Sequence, residues 1–363
     1  MKLLKTSPFF LSLLLFITAC AKQQDLVVNF SNPQLAYEGR IDTTSTPSAE
    51  LFWSGTRISM NFEGDTLAAT FADERGDNYY NVIVDGDSLT IFRPDSAKHE
   101  YVLAAGLGAG PHSVEIFKRT EWDRGMTSFY GFRIAGKAKL LPRDEPKKRK
   151  IEFYGNSITA GYAIDDLSGS DRSDSIFTNN YLSYARLTAD HYQAQYSCIC
   201  KSGIGITISW FPTIMPEIYD RLNPVDSTSH WDFSLYTPDV VVINLFQNDS
   251  WLVNRPDFPE FKARFGTQAP TPEFIVNAYA DFVRSIRAKY PDAQIVCILG
   301  SMDATREGSP WPGYVEQAVA QLGDPKIYTH FIPFKNTGGH PNAAEQQVMA
   351  QSLISFMDEH ITW

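Results

Sequence analysis

Apolar and polar residues alternate in short stretches between residues 36 and 139, and turns containing Gly and Asp separate these stretches. Such alternation is typical of β-strands with one buried face. The turns Glu-Gly-Asp-Thr at 63–66 and Asp-Gly-Asp-Ser at 85–88 each join two stretches, which predicts two β-hairpins. The pattern therefore predicts an all-β sandwich or jelly roll over residues 36–139, and a linker rich in Pro and charged residues follows over 140–149.

The pattern changes at residue 150, where nearly continuous apolar stretches alternate with segments of helical period. The predicted strands span residues 150–154, 195–200, 239–246, 293–300 and 326–333, and the clearest predicted helices span 274–289 and 342–357. Strands that are apolar on both faces are typical of parallel sheets with helices on both sides. Residues 150–363 are therefore predicted to form an α/β three-layer domain with a parallel sheet.

The N-terminus has the pattern of a bacterial export signal. Basic residues in Met-Lys-Leu-Leu-Lys precede an apolar run that is shorter than the roughly 20 residues a membrane span needs. The sequence Ile17-Thr18-Ala19-Cys20 resembles the lipobox of bacterial lipoproteins. This resemblance implies a signal peptide over residues 1–19, lipid attachment at Cys20 and a polar tether over 20–35. It also implies a membrane partner and a location in the bacterial cell envelope, at the outer membrane or facing the periplasm; the alternative is an ordinary signal peptide with a chance cysteine.

Charge and cysteine content narrow the range of functions. The chain has 42 acidic and 32 basic residues, a formal net charge of −10, so it lacks the basic surface that nucleic-acid binding requires. The cysteines beyond Cys20 are Cys198, Cys200 and Cys297; their odd number and apolar surroundings predict buried free thiols. No cysteine–histidine spacing matches a zinc site, and the sequence predicts neither a metal nor another cofactor.

Polar residues suited to ester hydrolysis follow the strands of the predicted α/β domain. Ser157 follows the first strand, Gly203 the second and Asn248 the third, while His340 precedes the last helix. Ligands of such sheets bind at the carboxyl ends of the strands, so we expect these residues to meet there. Ser157 would be the nucleophile and His340 its base, and the Ser157 N–H, the Gly203 N–H and the Asn248 amide would bind the oxyanion. Taken singly, each signal is weak, because a serine after such a turn is more often a helix cap and the other residues are also explained as turn or boundary residues.

These ordered blocks resemble the SGNH, or GDSL-type, hydrolases, in Gly155-Asn156-Ser157, Gly203, Asn248-Asp249 and His340-Pro341. Residues 38–42 and 78–86 further resemble carbohydrate esterase family two, whose members carry a jelly roll before an SGNH domain. The resemblance covers nearly the whole chain after residue 35. It implies a flavodoxin-like hydrolase domain and the removal of acetyl groups from plant polysaccharides such as xylan or glucomannan, often at the sugar 6-hydroxyl.

The chain departs from the family pattern in two places. Phe246 replaces the glycine that opens the third block, which leads us to expect a phenyl ring near the site. Thr337 and Gly338 replace the aspartate that usually precedes the histidine by two or three residues.

The second departure bears on how His340 is oriented. Some family members lack the acid and are taken to orient the histidine with a backbone carbonyl instead. Ser157 and His340 are therefore predicted to act as a dyad. Asp249 or Asp303 is the alternative acid, although Asp249 is better explained as structural. Asp165 and Asp166, in a stretch rich in Ser, Gly and Asp, are interpreted as part of a solvated loop.

Aromatic residues near the strand ends are candidate substrate contacts. Trp251, Phe246 and Trp210 fall into this group, because an indole or phenyl face suits the C–H face of a sugar ring; for the tryptophans the alternative is packing under a long loop.

The leading interpretation is a lipid-anchored carbohydrate esterase whose partner is an acetylated polysaccharide or oligosaccharide. The alternatives are an SGNH lipase, thioesterase or peptidoglycan O-acetylesterase, and a non-catalytic glycan-binding lipoprotein.

Overall fold

The computed structural model describes residues 24–44 and 47–363, which form an N-terminal β-sandwich and a C-terminal α/β domain. The predicted signal peptide and Cys20 lie outside the described residues. Within the described range, none of the helices has the length and apolar character that a membrane span requires.

Two antiparallel sheets form the sandwich. Its strands are β1 Leu26–Asn29, β2 Ala36–Glu38, β3 Ile41–Asp42, β4 Ala49–Leu51, β5 Arg57–Glu63, β6 Thr66–Asp73, β7 Tyr80–Val84, β8 Ser88–Phe92, β9 His99–Ala105, β10 Pro111–Lys118, β11 Thr127–Ala135 and β12 Lys139–Leu140. One sheet has the order β3–β4–β11–β6–β9 with β1 on β11, and the other has the order β12–β5–β10–β7–β8 with β2 on β5. Along β5, Ile58, Met60 and Phe62 are buried in the core between the sheets while the alternate residues are half-buried. The predicted sandwich is confirmed.

One of the two predicted hairpins is wrong. The turn at 85–88 joins β7 and β8, which pair as expected. The turn at 63–66 instead joins β5 to β6, and these strands belong to opposite sheets. A turn between two alternating stretches looks the same in sequence whether the strands pair or face each other across the core.

The sandwich also begins earlier than predicted. β1 pairs with β11 from Leu26 opposite Ile134 to Asn29 opposite Gly131, and Val28 is buried in the core. Much of the predicted tether is therefore folded. β1 escaped detection because only four residues form it and polar residues surround it.

The C-terminal domain is a parallel sheet between helices. Its strands are β13 Lys150–Gly155, β14 Gln195–Cys200, β15 Val240–Asn244, β16 Gln294–Leu299 and β17 Ile327–Phe331. Its helices are α1 Ser157–Ala160, α2 Tyr184–His191, α3 Gln247–Leu252, α4 Pro259–Phe265, α5 Pro272–Lys289, α6 Trp311–Leu322 and α7 Ala343–His360. Short 3-10 helices span Trp122–Arg124, Ser175–Phe177, Asn180–Leu182, Met215–Glu217, Phe233–Leu235 and Asp303–Thr305.

The sheet has the order β14–β13–β15–β16–β17 and is covered on both faces. The core on one face includes side chains of α5 and α6, and the core on the other includes side chains of α2 and α7. This arrangement confirms the predicted three-layer α/β domain. Cys198, Cys200 and Cys297 are buried and free, as predicted.

Buried polar contacts fasten the sandwich to the sheet. Arg40 donates to Glu152 Oε1 at 3.3 Å and to the Tyr154 hydroxyl at 3.0 Å, and both partners belong to β13. Glu38 accepts the Tyr196 N–H of β14 at 2.6 Å. Because buried charges need their partners, these contacts hold the two domains in one relative position.

Candidate active site

Ser157 lies in a tight turn at the carboxyl end of β13. Asn156 precedes it and caps α1 by accepting the Ile158 N–H at 3.0 Å, so the helix cap is Asn156 rather than Ser157. A side chain on Gly155 would clash with Thr159, which is why the turn needs glycine there. Gly161 ends the one-turn helix with φ +75°. The local sequence therefore leaves the Ser157 hydroxyl for other partners.

His340 is that partner. It lies between β17 and α7, and its Nε2 is 2.8 Å from Ser157 Oγ. α7 begins with a capping box, in which Asn342 accepts the Glu345 N–H at 3.0 Å and Glu345 accepts the Asn342 N–H at 2.9 Å. The ring of Tyr162 lies 4.8 Å from the imidazole, centroid to centroid. The capping box and this ring contact fix the histidine beside the serine.

A carboxylate that the sequence analysis did not identify completes a triad. Asp171 Oδ2 lies 2.8 Å from His340 Nδ1, and Asp171 Oδ1 accepts the His340 backbone N–H at 2.8 Å. The predicted dyad is therefore corrected to Ser157–His340–Asp171. Neither Asp249 nor Asp303 is the acid. Asp249 accepts hydrogen bonds from a neighbouring loop, and Asp303 accepts a hydrogen bond from Trp251 at 3.1 Å.

The hydrogen bonds from His340 favour the anionic form of Asp171. Burial alone would raise the pKa of this carboxyl group, but bonds from the His340 ring and backbone N–H hold the pKa below its ordinary value. An anion beside Nδ1 favours the tautomer with the proton on Nδ1. Nε2 is then free to accept the proton of the Ser157 hydroxyl.

Asp171 gave no signal in the sequence because nothing fixes its spacing from His340. The two residues are 169 positions apart. Asp171 lies in the acidic loop that follows α1, with φ +54°, five residues beyond Asp166. The interpretation of that loop as solvated was wrong for Asp166, which is buried and accepts hydrogen bonds from Arg172 at 2.7 and 3.0 Å.

Gly203 and Asn248 lie in the loops beside the serine. The register of the sheet sets Gly155 opposite Cys200 of β14 and Asn244 of β15, so these loops leave three adjacent strands at one level. Gly203 follows β14 and has φ +83°, a conformation that favours glycine. Asn248, in α3, is buried.

Two neighbours orient the Asn248 amide. Its Nδ2 donates to the Ile204 carbonyl at 2.8 Å, and its Oδ1 accepts from Trp210 Nε1 at 3.1 Å. Nδ2 carries a second hydrogen. That hydrogen can serve an oxyanion, as the sequence analysis expected.

Asp249 is a structural carboxylate. It is fully buried and accepts the N–H groups of Ile206 at 3.1 Å, Thr207 at 2.6 Å and Ile208 at 3.3 Å. Burial raises its pKa, and these hydrogen bonds oppose that rise. Asp249 therefore holds the loop after β14 against α3.

The three aromatic candidates have different environments. The Trp210 side chain is 40% exposed and lies edge-on to Phe258 at 5.5 Å between ring centroids. Trp251 is partly buried and packs against the core on the α2 and α7 face. Phe246 is fully buried, so its predicted contact with substrate is corrected.

The ring of Phe246 points into the core. It lies 4.7 Å from the ring of Tyr279 and 5.0 Å from the ring of Trp311, centroid to centroid. Phe246 retains φ +86°, in the left-handed region, where a glycine is the usual residue.

In the described part of the chain, no group of three or more His, Cys, Asp or Glu side chains is arranged to hold a metal ion.

The parallel sheet, the Ser157–His340–Asp171 contacts and the adjacent Gly203 and Asn248 loops define an SGNH-type hydrolase. Residues 37–143 match the carbohydrate esterase 2 N-terminal family, and residues 153–348 match the GDSL-like lipase/acylhydrolase family. The chain belongs to the family two carbohydrate esterases within the GDSL-like group.

Individual relatives agree with this family. The chain is 34% identical over 345 residues to the cellulase/esterase CelE of Acetivibrio thermocellus, covering 92% of this chain and 40% of that protein. It is 26% identical over 361 residues to an acetylxylan esterase / glucomannan deacetylase of Cellvibrio japonicus, covering 96% of each. The structure of a family two carbohydrate esterase from Clostridium thermocellum in complex with cellohexaose is similar, with a TM-score of 0.79 at 33% identity, over 90% of this chain and 98% of that one.

Proposed function

We propose that this protein is an esterase that removes O-acetyl groups from plant polysaccharides such as xylan or glucomannan. The observation that carries the proposal is the chain of two 2.8 Å contacts, from Ser157 Oγ to His340 Nε2 and from His340 Nδ1 to Asp171 Oδ2. The name of the Cellvibrio relative, acetylxylan esterase / glucomannan deacetylase, supports the substrate class.

The first half-reaction transfers the acetyl group to the enzyme. Ser157 Oγ attacks the ester carbonyl as His340 Nε2 takes its proton. The N–H groups of Ser157 and Gly203 and the Asn248 amide stabilise the oxyanion, and Asp171 stabilises the imidazolium. The bond from the carbonyl carbon to the sugar oxygen then breaks, and that oxygen takes the proton from His340.

The second half-reaction restores the serine. Water adds to the acetyl-Ser157 carbonyl while His340 Nε2 takes the proton of the water. Collapse of the second tetrahedral intermediate breaks the bond to Ser157 Oγ, which regains its proton from His340. Acetic acid is the product, and it ionises to acetate in neutral solution.

The test is release of acetate from acetylated xylan, acetylated glucomannan and an aryl acetate. Ser157→Ala should lower kcat on the order of 10⁶-fold, as removal of a triad nucleophile does. Ser355→Ala, on the exposed face of α7, is the matched control and should match the wild type. Equal, non-zero rates for wild type and Ser157→Ala would contradict the assignment of Ser157 as the nucleophile. No acetate release by the wild type from any of the three substrates would contradict the proposal and favour a glycan-binding protein.

We also propose that Cys20 carries a lipid that anchors the protein in the bacterial cell envelope. The support is the lipobox-like Ile17-Thr18-Ala19-Cys20 after a short apolar run. Since β1 begins at Leu26, six residues after Cys20, even a fully extended connection would span only about 20 Å. The sandwich would therefore lie close to the membrane surface.

Fractionation of cells tests the anchor. The wild type should enter the detergent phase in a detergent phase-separation experiment. Cys20→Ser should either remain in the aqueous phase or keep its signal peptide uncleaved. Cys297→Ser, which changes a buried strand thiol, serves as the control for loss of cysteine as such. Wild-type protein in the aqueous phase would overturn the anchor.

A further inference from the structure

A segment of the sandwich, residues 119–124 between β10 and β11, contacts the loops that carry two parts of the active site. We call it the 119–124 loop. It begins at Arg119, which is almost completely buried, and ends with the 3-10 helix Trp122–Arg124.

Its first contact is with the loop after β14. Glu121 is buried, with 4% of its surface exposed, and its two carboxylate oxygens accept the backbone N–H and the hydroxyl of Ser202. Ser202 directly precedes Gly203, an expected oxyanion donor. The carboxylate thus holds the peptide unit next to the one that carries the Gly203 N–H.

Lys201 extends this contact toward the nucleophile. Its Nζ lies 3.6 Å from Glu121 Oε2 and 3.0 Å from Asp123 Oδ2, and its backbone N–H donates to the Gly155 carbonyl at 3.2 Å. Gly155 is two residues before Ser157. The loop after β14 is therefore held between the sandwich on one side and the serine turn on the other.

The second contact is with the acidic loop that carries Asp171. Arg119 pairs with Asp165 and donates to the Ile176 carbonyl at 3.1 Å. Arg124 donates to the Ser173 carbonyl at 2.8 Å. These contacts lie on both sides of Asp171 along the chain.

A further residue of the sandwich supports the same loop. Asp77, which follows β6, accepts the Ser175 hydroxyl at 2.5 Å and lies 3.3 Å from Arg124 Nη1. Arg124 therefore bridges an aspartate of its own domain and the backbone beside Asp171.

We propose that the 119–124 loop positions both the oxyanion donor Gly203 and the acid Asp171, so that the N-terminal domain is part of the catalytic apparatus. Glu121 is the positioning residue for Gly203, and Arg124 is the positioning residue for Asp171. The inference rests on the proposed function only for the roles of Gly203 and Asp171. Catalytic groups must be held to within about 0.5 Å, and here they lie on loops whose support comes from strands of another domain.

The two contacts predict different kinetic signatures for an aryl acetate. Glu121→Gln keeps the side-chain volume but presents an amide N–H₂ toward one of the Ser202 donors. Since loss of an oxyanion donor costs about 10²–10³ in kcat, a displaced donor should lower kcat by about 10- to 100-fold, with KM and the acid limb of the pH–rate profile unchanged. Arg124→Ala frees the Asp171 loop, so it should lower kcat and shift the midpoint of that acid limb.

Conservative and remote variants separate positioning from folding. Arg124→Lys can still donate to the Ser173 carbonyl and should restore most of the rate and the midpoint. Arg133→Ala removes ion pairs of the sandwich to Glu100 and Asp25 and should change neither. The thermal midpoint of each variant gives its folded fraction at the assay temperature.

The rate at which a fluorophosphonate labels Ser157 provides a readout that needs no sugar ester. Slower labelling of folded Glu121→Gln and Arg124→Ala supports the inference even if the wild type releases no acetate from polysaccharides. Labelling at the wild-type rate per folded molecule would overturn it, as would equal effects of Arg124→Ala and Arg133→Ala on the acid-limb midpoint. A wild type that fails to label would overturn both this inference and the proposed function.

Discussion

Asp171 binds His340 through its ring and through its backbone at the same time. One carboxylate oxygen lies 2.8 Å from Nδ1, and the other accepts the backbone N–H at 2.8 Å. Gly339 makes this approach possible, because it has φ +68° and a Cβ there would lie 2.9 Å from Asp171 Oδ1. The orientation of the imidazole and the path of the chain before α7 are thus set by one carboxylate.

This geometry predicts the effect of Asp171→Asn. An asparagine has one acceptor and one N–H₂ group, so it either faces the His340 backbone N–H with a donor or selects the tautomer with the proton on Nε2. The second arrangement removes the base from Ser157. We expect kcat for an aryl acetate to fall on the order of 10⁴-fold, as for other triads with the wrong tautomer, while KM changes little.

Asp303→Asn is the matched control for this substitution. Asp303 is an exposed carboxylate that accepts hydrogen bonds from Trp251 and Arg306, and the sequence made it a candidate acid. Its variant should keep kcat within a few-fold of the wild type. A larger loss for Asp303→Asn than for Asp171→Asn would refute the triad.

The same contact makes a prediction about pH and stability. Asp171 has its pKa lowered in the folded protein, so its contribution to the free energy of unfolding is fully present above its ordinary pKa of 3.8. That contribution is lost as the pH falls through the lower folded-state value. The difference in unfolding free energy between wild type and Asp171→Asn should therefore narrow below about pH 4.

Urea unfolding of the two proteins at several pH values between 7 and 3 checks this. A constant difference across the range would mean that Asp171 is not stabilised as an anion by His340.

Much of the site could be located from the sequence because most of its residues directly follow or precede a strand or helix with a clear apolar pattern. Ser157, Gly203 and Asn248 each follow an apolar strand, and His340 precedes a helix with a clear apolar face. The order of these elements then brings the residues to one edge of the sheet. Asp171 has no such neighbour, since its loop lacks any period and its place depends on tertiary contacts.

Phe246 shows a second limit of sequence reasoning. The sequence correctly marked an unusual residue at a position where the family has glycine, but it could not give the direction of the side chain. The left-handed backbone at φ +86° turns the ring toward Tyr279 and Trp311 and away from the site. Side-chain direction at such a position follows from the backbone, which composition and spacing do not reveal.

Trp210 is expected to act on both catalysis and binding. Its Nε1 hydrogen bond orients Asn248, and its ring is the most exposed of the three aromatic candidates. Trp210→Phe removes the hydrogen bond and keeps an aromatic, though smaller, ring. Since such a bond contributes about 1 kcal/mol, kcat should fall about 5-fold with KM unchanged.

Trp210→Ala removes the ring as well, and comparison of substrates shows whether the ring binds sugar. We expect KM to rise for acetylated xylan or glucomannan and to stay the same for a small aryl acetate. Trp251→Phe, which loses the bond to Asp303 instead, is the control for loss of an indole N–H. Equal KM values for Trp210→Phe and Trp210→Ala on the polysaccharide would exclude stacking.

Phe246 is expected to stabilise the fold in spite of its backbone conformation. A non-glycine residue in the left-handed region costs about 1–2 kcal/mol, whereas truncation of a buried phenylalanine costs about 3–5 kcal/mol. Phe246→Gly should therefore lower the free energy of unfolding by about 2 kcal/mol, because the lost packing outweighs the relief. Phe246→Ala loses the packing and keeps the strained φ, so it should be less stable than Phe246→Gly by about 1 kcal/mol. Urea unfolding at pH 7 measures these free energies, which should decrease from the wild type to Phe246→Gly and then to Phe246→Ala. A Phe246→Gly variant as stable as the wild type would show that backbone strain, not packing, dominates at this position.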